Sequence, residues 1–198
     1  MSCRHRWTPR KPLGSKVRIL DFDIENRPLS YLGQDYTTAE ITAIAYCWAD
    51  QPKMQVTCWL LGLDDPQAML VGFRMVYDSA DMVTGHYIRM HDLPIINGAL
   101  IERGLAPLDE KLTCDTKLDL VKKGPVFSAS QENLCAMLGL PAPKIHMNTV
   151  MWREANRLTP AGLKLTAKRA VGDVIQHMAL RRELVRRDLL SVPKVWRP

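Results

Sequence analysis

The sequence predicts an α/β or α+β domain built on one mixed sheet. Three observations carry this: strand-like runs come first, helical and strand-like segments then alternate, and a long helical segment closes the chain. The opening strand is VRILDFDIENRP, Val17 to Pro28, where Val17, Ile19, Phe22 and Ile24 favour extended backbone and Pro28 ends the run. EITAIAYCWA (Glu40–Ala49) and KMQVTCWLL (Lys53–Leu61) follow, joined by a turn around Asp50–Pro52, which predicts a three-stranded antiparallel meander.

The pattern then changes period. DPQAMLVGFRMVYDSA reads as a helix capped by Asp65 with Pro66 in its first position. DMVTGH (Asp81–His86) is short and apolar, like a buried strand, and DLPIINGALIERG is a helix with Asp92 at its cap and Gly104 closing it. KLTCDT supplies a fifth strand. SASQENLCAMLGL is a helix capped by Ser128 and ended by Gly139. The stretch 141–160, with prolines at both ends, carries no clear period. A long helix is expected from about Gly162 to Leu190, with Ala167, Val171, Val174, Ile175, Met178, Val185 and Leu189 as its core stripe.

Composition bounds the function. The chain has 198 residues, 46% of them hydrophobic, enough for one domain with a full core. No apolar run reaches the roughly 20 residues of a membrane span, and the charged N-terminus lacks the apolar stretch of a secretory signal. Cys3, Cys47, Cys58, Cys114 and Cys135 are odd in number and contain no C-x-x-C pair, which points to free thiols in a reducing cytoplasm and away from a disulfide framework or a zinc site. The net charge of +6 is uneven. Residues 1–18 and 181–198 hold twelve Lys/Arg against two acids, leaving 15 against 19 between them. Basic ends around an acidic middle suit a polyanion whose reacting part meets cations. The expected organisation is a basic arm over 1–16, one domain over 17–190 and a tail over 191–198.

The opening strand poses the functional question. Asp21, Asp23 and Glu25 occupy every second position, so all three face one side of the sheet, where like charges repel unless something neutralises them. Asp92 at a helix start and Asp173 inside the long helix are further acids in unusual places, since Asp is a poor mid-helix residue.

In order, ILDFDIENRP, TGHYIRMHDLPIINGALIERGL and VGDVIQHMALRREL resemble the three motifs of the DnaQ-like (DEDD) 3′–5′ exonucleases. The resemblance covers about residues 17–190. It implies a ribonuclease H-like fold, here with five strands, three antiparallel and then two parallel, flanked by helices. It also implies Asp23, Glu25, Asp92 and Asp173 as ligands of two divalent cations, Mg²⁺ or Mn²⁺. Asp23 would bridge both ions, and Glu25 would serve one ion and the attacking water. The implied activity is release of nucleoside 5′-monophosphates from single-stranded DNA or RNA 3′ ends, with DNA favoured and a polymerase or replication assembly as a partner. Hard cations need oxygen ligands, and two of them can stabilise both ends of an in-line displacement at phosphorus.

The sequence departs from the family at the residue that orients the water. A Tyr four positions before the last acid, or a His five before it, is replaced by Arg169 and Lys168, neither of which is a base at neutral pH. His177, one turn after Asp173, and His86 and His91 beside the second motif are the candidates to take over the role. Asp21 stands where the family has an apolar or small residue, and pairing with Arg169 or Lys168 is the expected solution. A nucleic-acid-binding accessory with weak or no cleavage is the competing reading. Tyr87, His91, Arg181 and Arg182 are candidate nucleic-acid contacts. Arg186, Arg187, Trp7 and Trp196 could extend that surface by gripping phosphates and stacking on bases.

Overall fold

The computed structural model describes residues 17–27, 39–49, 51, 55–121 and 128–198. The expected basic arm, Cys3, Trp7, Pro28 and the turn residues Asp50 and Pro52 lie outside the described residues, as do Lys53 and Met54 of the third strand.

Among the described residues six strands form one sheet: β1 (Ile19–Arg27), β2 (Glu40–Trp48), β3 (Thr57–Leu60), β4 (Met82–Gly85), β5 (Lys111–Asp115) and β6 (Lys194–Trp196). Their order is β3-β2-β1-β4-β5-β6. β1 pairs antiparallel with β2, and β2 with β3, which is the expected meander. β1–β4 and β4–β5 are parallel, as the intervening helices require. The sheet therefore has six strands and not five. The sixth, antiparallel to β5, comes from the segment read as a tail. It is three residues long, follows Pro193 and carries too little alternation for a periodic signal, but Val195 and Trp196 are good strand formers. Trp196 is buried in the main core, so it offers no face to a nucleic-acid base.

Among the described residues five helices flank the sheet: α1 (Pro66–Ser79), α2 (Asp92–Glu102), α3 (Gln131–Met137), α4 (Thr149–Asn156) and α5 (Pro160–Arg186). Asp65 caps α1 as expected, accepting from the Ala68 N–H. Three local expectations are corrected. Ser130 caps α3, accepting from the Asn133 N–H, while Ser128 braces the Ser130 backbone from outside. His91 occupies the N-cap of α2, and Asp92 is its first residue. α5 begins two residues early, with Thr159 as cap and Pro160 at the first position, and stops at Arg186, two residues before Asp188 turns to φ 54. The stretch without clear period contains α4.

The sheet has two apolar faces. Leu20, Phe22 and Ile24 of β1 pack with Phe73 and Tyr77 of α1 and Leu93, Ile96 and Leu100 of α2 in the largest core. On the opposite face β2 offers small side chains, Ala43, Ala45 and Cys47, and these let α5 lie close through Ala170, Val174 and Met178. Val185 of the expected stripe is exposed, the buried face of α5 at that level being carried by Leu184 against Leu134 and Cys135 of α3. Cys47, Cys58, Cys114 and Cys135 are free thiols. Among the described residues no helix is long and apolar enough to cross a membrane.

Candidate active site

The alternation of β1 answers why its acids sit two residues apart. With Leu20, Phe22 and Ile24 committed to the main core, Asp21, Asp23 and Glu25 must face α5. Two strand residues advance about 6.6 Å and four helical residues about 6 Å, so a strand and a helix running in opposite senses stay in step. The result is a ladder of three rungs. Asp21 meets His177, with both carboxylate oxygens 2.8 Å from Nδ1. Asp23 meets Asp173, and a carboxylate oxygen of each lies within 4.8 Å of the other and of one from Glu25. Glu25 meets Arg169, with Oε1 2.6 Å from Nε.

Asp92 joins from the other side of β1. It is 2% exposed, and its Oδ1 accepts the Ile24 N–H at 3.1 Å, which fixes the start of α2 against the strand. The register of β1 against β2 shifts between Glu25 and Asn26, so the strand bends where its acids end. Together with His86, Tyr87, His91, Lys117, Gln131, Lys144 and Arg169, the four acids Asp23, Glu25, Asp92 and Asp173 line one open cleft of about 330 Å³.

The electrostatics are those of acids gathered in a partly dry place. Burial, then the charges of Asp92 and Asp173, raise Asp23 well above the ordinary carboxylate range. Burial pushes Glu25 up to about 7 against the pull of Arg169, and Asp92 up to about 7 against its backbone hydrogen bonds. Asp173 is raised by burial and held back by Lys144, whose Nζ lies 2.8 Å from Oδ1. The Gln131 side-chain amide donates to the Asp173 carbonyl at 3.0 Å and, more weakly, to Oδ1 at 3.4 Å. Glu25 Oε1 is buried without a hydrogen-bond partner, its 2.6 Å contact with Arg169 Nε being an ion pair. Hard carboxylate oxygens crowded together, one of them unsatisfied, form a donor set that fits a divalent cation of the Mg²⁺ or Mn²⁺ class.

Two sequence expectations are corrected at this site. Asp21 pairs with neither Arg169 nor Lys168. It is fully buried against His177, while Arg169 takes Glu25 and Lys168 is exposed outside the cleft. His177 does not face the cleft. Its Nε2 is 3.0 Å from Thr116 Oγ1, so both ring nitrogens are engaged within the protein. Thr116 Oγ1 also lies 3.0 Å from His86 Nδ1. Burial, then the neighbouring His177, pushes His86 down to about 3, which keeps its ring neutral.

The candidate nucleic-acid contacts divide. Tyr87 and His91 line the cleft. Tyr87 has φ 73, a conformation costly for an aromatic residue, and it is held by its N–H donating to Asp115 Oδ1 at 3.0 Å and by Lys117 Nζ 3.8 Å above its ring. Arg181 and Arg182 lie two turns beyond Asp173 and line no part of the cleft. Arg186 and Arg187 both clasp Glu183 at 2.6 Å.

Lys144 was invisible in the sequence, a lysine in a proline-bounded stretch without period. The one available signal was Gly172 next to Asp173. A Cβ there would come within 3.1 Å of the Lys144 Cα and the Pro143 carbonyl oxygen, so the glycine is what lets the 143–144 backbone dock on α5.

No family model matches the chain, and no curated protein matches its sequence. Among solved structures 119 chains match. One is the family B DNA polymerase from the hyperthermophilic archaeon Pyrobaculum calidifontis, similar at 15% identity and a TM-score of 0.61 over 86% of this chain and 25% of the polymerase. The chain spans about a quarter of the polymerase's length. It shares its ribonuclease H-like α/β fold with a segment of a DNA polymerase.

Proposed function

We propose that this chain is a metal-dependent 3′–5′ exonuclease. Its substrates are single-stranded nucleic-acid ends, DNA above RNA, and it releases nucleoside 5′-monophosphates. The observation that carries the reading is the convergence of Asp23 and Glu25 from β1, Asp92 from α2 and Asp173 from α5 on one open cleft. These are the four positions at which the sequence resembles the DnaQ-like motifs, and the 3′–5′ polarity rests on that resemblance. The fold likeness to a DNA polymerase supports nucleic acid as the substrate class.

A divalent cation bound by these carboxylates supplies Lewis-acid stabilisation of the charge that builds on the phosphoryl oxygens. The remaining work belongs to the chain. Asp23, Glu25 and Asp173 would hold the ion, Gln131 braces Asp173 through its backbone carbonyl and more weakly through its carboxylate, and the Ile24 N–H fixes Asp92. Water adds at phosphorus, the bond to the 3′ oxygen breaks, the water gives up a proton to solvent, and the leaving oxygen takes one up. Tyr87, on its strained backbone, would present its ring to the terminal base, and Lys117 beside it a cation to the phosphate. Arg182, exposed farther along α5, would meet the strand outside the cleft, whereas Arg181 is turned toward Cys114 with its Nε buried.

The test is degradation of end-labelled single strands with Mn²⁺ or Mg²⁺, with Asp23→Ala as control. Stepwise shortening from the 3′ end by the wild type alone supports the reading. Intact strands with both proteins sink it.

A second reading is a DEDD-fold nucleic-acid-binding accessory with little cleavage. It is favoured by the ion pairs of Arg169 with Glu25 and Lys144 with Asp173, which set cations against two of the proposed ligands. Strand binding without shortening would select it.

A further inference from the structure

We propose that this chain takes one divalent cation, on Asp23, Glu25 and Asp173, and that Arg169 and Lys144 stand in the place of a second. The proposal deepens the exonuclease reading and concerns the same cleft.

The ladder between β1 and α5 provides the first argument. Of its three rungs only the middle one sets acid against acid, Asp23 against Asp173. The rung below is closed by His177 and the rung above by Arg169. The crowded donor set is correspondingly small: Asp23, Glu25 and Asp173 each bring an oxygen within 4.8 Å of the others, and Asp92 is not in that group. One Asp92 oxygen is already spent on the Ile24 N–H.

The second argument is that both side-chain cations are held by contacts an arriving ion would not remove. The Arg169 Nη1 donates to the Ile145 carbonyl at 3.2 Å, and its guanidinium lies 5.0 Å from the centre of the Trp152 ring. Lys144 is placed by its backbone, which docks on Gly172 where no side chain would fit without displacement. Segment 143–145 thus carries Lys144 into the cleft, and Ile145 with Trp152 of α4 holds Arg169 of α5 there, so both charges are part of the fold.

The third argument is charge. Asp23, Glu25, Asp92 and Asp173 bring four negative formal charges, and Lys144 and Arg169 return two positive ones. One divalent ion completes neutrality. A second would leave a net charge of +2 in the cleft, a state that Coulomb repulsion opposes. Glu25 Oε1, in a side chain 10% exposed, lies 2.6 Å from Arg169 Nε as an ion pair without a hydrogen bond, so its lone pairs remain open to a metal ion. In this arrangement Arg169 and Lys144 present N–H donors to the non-bridging phosphate oxygens, charge stabilisation that a second ion supplies elsewhere.

The experiment is Mn²⁺ titration of the metal-free protein, read by calorimetry and by electron paramagnetic resonance of bound ion, without nucleic acid. The expected stoichiometry is one for the wild type and for Asp92→Asn, with loss of the ion in Asp173→Asn. The double variant Arg169→Gln/Lys144→Gln is expected to bind two. Circular dichroism confirms that each variant is folded, and the single variants Arg169→Gln and Lys144→Gln replace the pair if it is not. Any wild-type stoichiometry other than one, or no second ion after the cations are neutralised, overturns the proposal. An inactive protein that binds one ion overturns the exonuclease reading and leaves this proposal standing.

Discussion

Asp21 and His177 form the lowest rung of the ladder, and removing one of them is the most demanding test of the architecture. Asp21 is fully buried, and both of its oxygens are 2.8 Å from His177 Nδ1. The imidazole is 2% exposed, with Nε2 on Thr116. Asp21→Ala therefore leaves a buried ring N–H with no acceptor and no route to water. Breaking a buried pair in this way costs about 3–5 kcal/mol. At ~2–4 °C of Tm per kcal/mol for a chain of this length, the transition falls by on the order of 10 °C. Asp21→Asn keeps an acceptor facing Nδ1 and should lose about 1 kcal/mol. His177→Ala strands the Asp21 carboxylate and should cost as much as Asp21→Ala. The double variant should cost less than the sum of the singles by at least ~1 kcal/mol, because each single leaves a group that the double removes. Urea unfolding of the metal-free protein with all four variants completes the cycle. An Asp21→Ala cost below ~1 kcal/mol, or strictly additive singles, would refute the buried-pair reading. So would loss of Mn²⁺ binding in folded Asp21→Asn, since the pair lies behind the cleft and not in it.

Four further outcomes follow from the same geometry. Glu25 and Asp92 are raised to about 7, against unfolded carboxylates near 4, so the metal-free fold gains from their protonation and loses that gain as pH climbs through 7. Melting temperature without metal should fall between pH 5 and 8, and saturating Mg²⁺ should flatten the decline. Asp23→Asn removes a charge that burial and two neighbouring acids disfavour. It should raise the metal-free melting temperature while lowering hydrolysis by ~10²-fold or more. At Gly162 an added Cβ would collide with the Glu154 carbonyl oxygen, a backbone atom, so Gly162→Ala should lower the unfolding free energy measured in urea by about 1–3 kcal/mol through the α4–α5 contact. Trp196→Ala should cost ~3 kcal/mol because the ring is buried, whereas an indole on a solvated tail would cost almost nothing.

What was legible in the sequence followed from periodicity and covalent constraint. The central strand, the meander and the crossover helices declared themselves through alternation, caps and Pro66. The acids at 23, 25, 92 and 173 stood out because each was in an unusual local setting. Pairings across the fold were not legible. Asp21 has its partner imidazole, His177, one helical turn beyond Asp173 and two turns beyond Arg169. Choosing between His177 and Arg169 requires the sense in which α5 crosses β1, which no local pattern encodes. Lys144 reaches the site from a segment without periodicity. Strand β6 is too short to alternate, and it becomes visible only when the open edge of β5 is known to need a partner.

The ladder has a consequence for how the chain is made. Its two sides are β1, near the beginning of the chain, and α5, about 150 residues later. While the ribosome is still synthesising the middle, Asp21, Asp23 and Glu25 have no partners, and three adjacent carboxylates cannot settle into a dry sheet face. The site is therefore among the last parts of the molecule to form, after α5 has emerged and docked in step with the strand. A nascent or truncated chain has no cleft in which to hold a cation beside nucleic acid. Any nucleolytic capacity of this protein arrives with its completed fold.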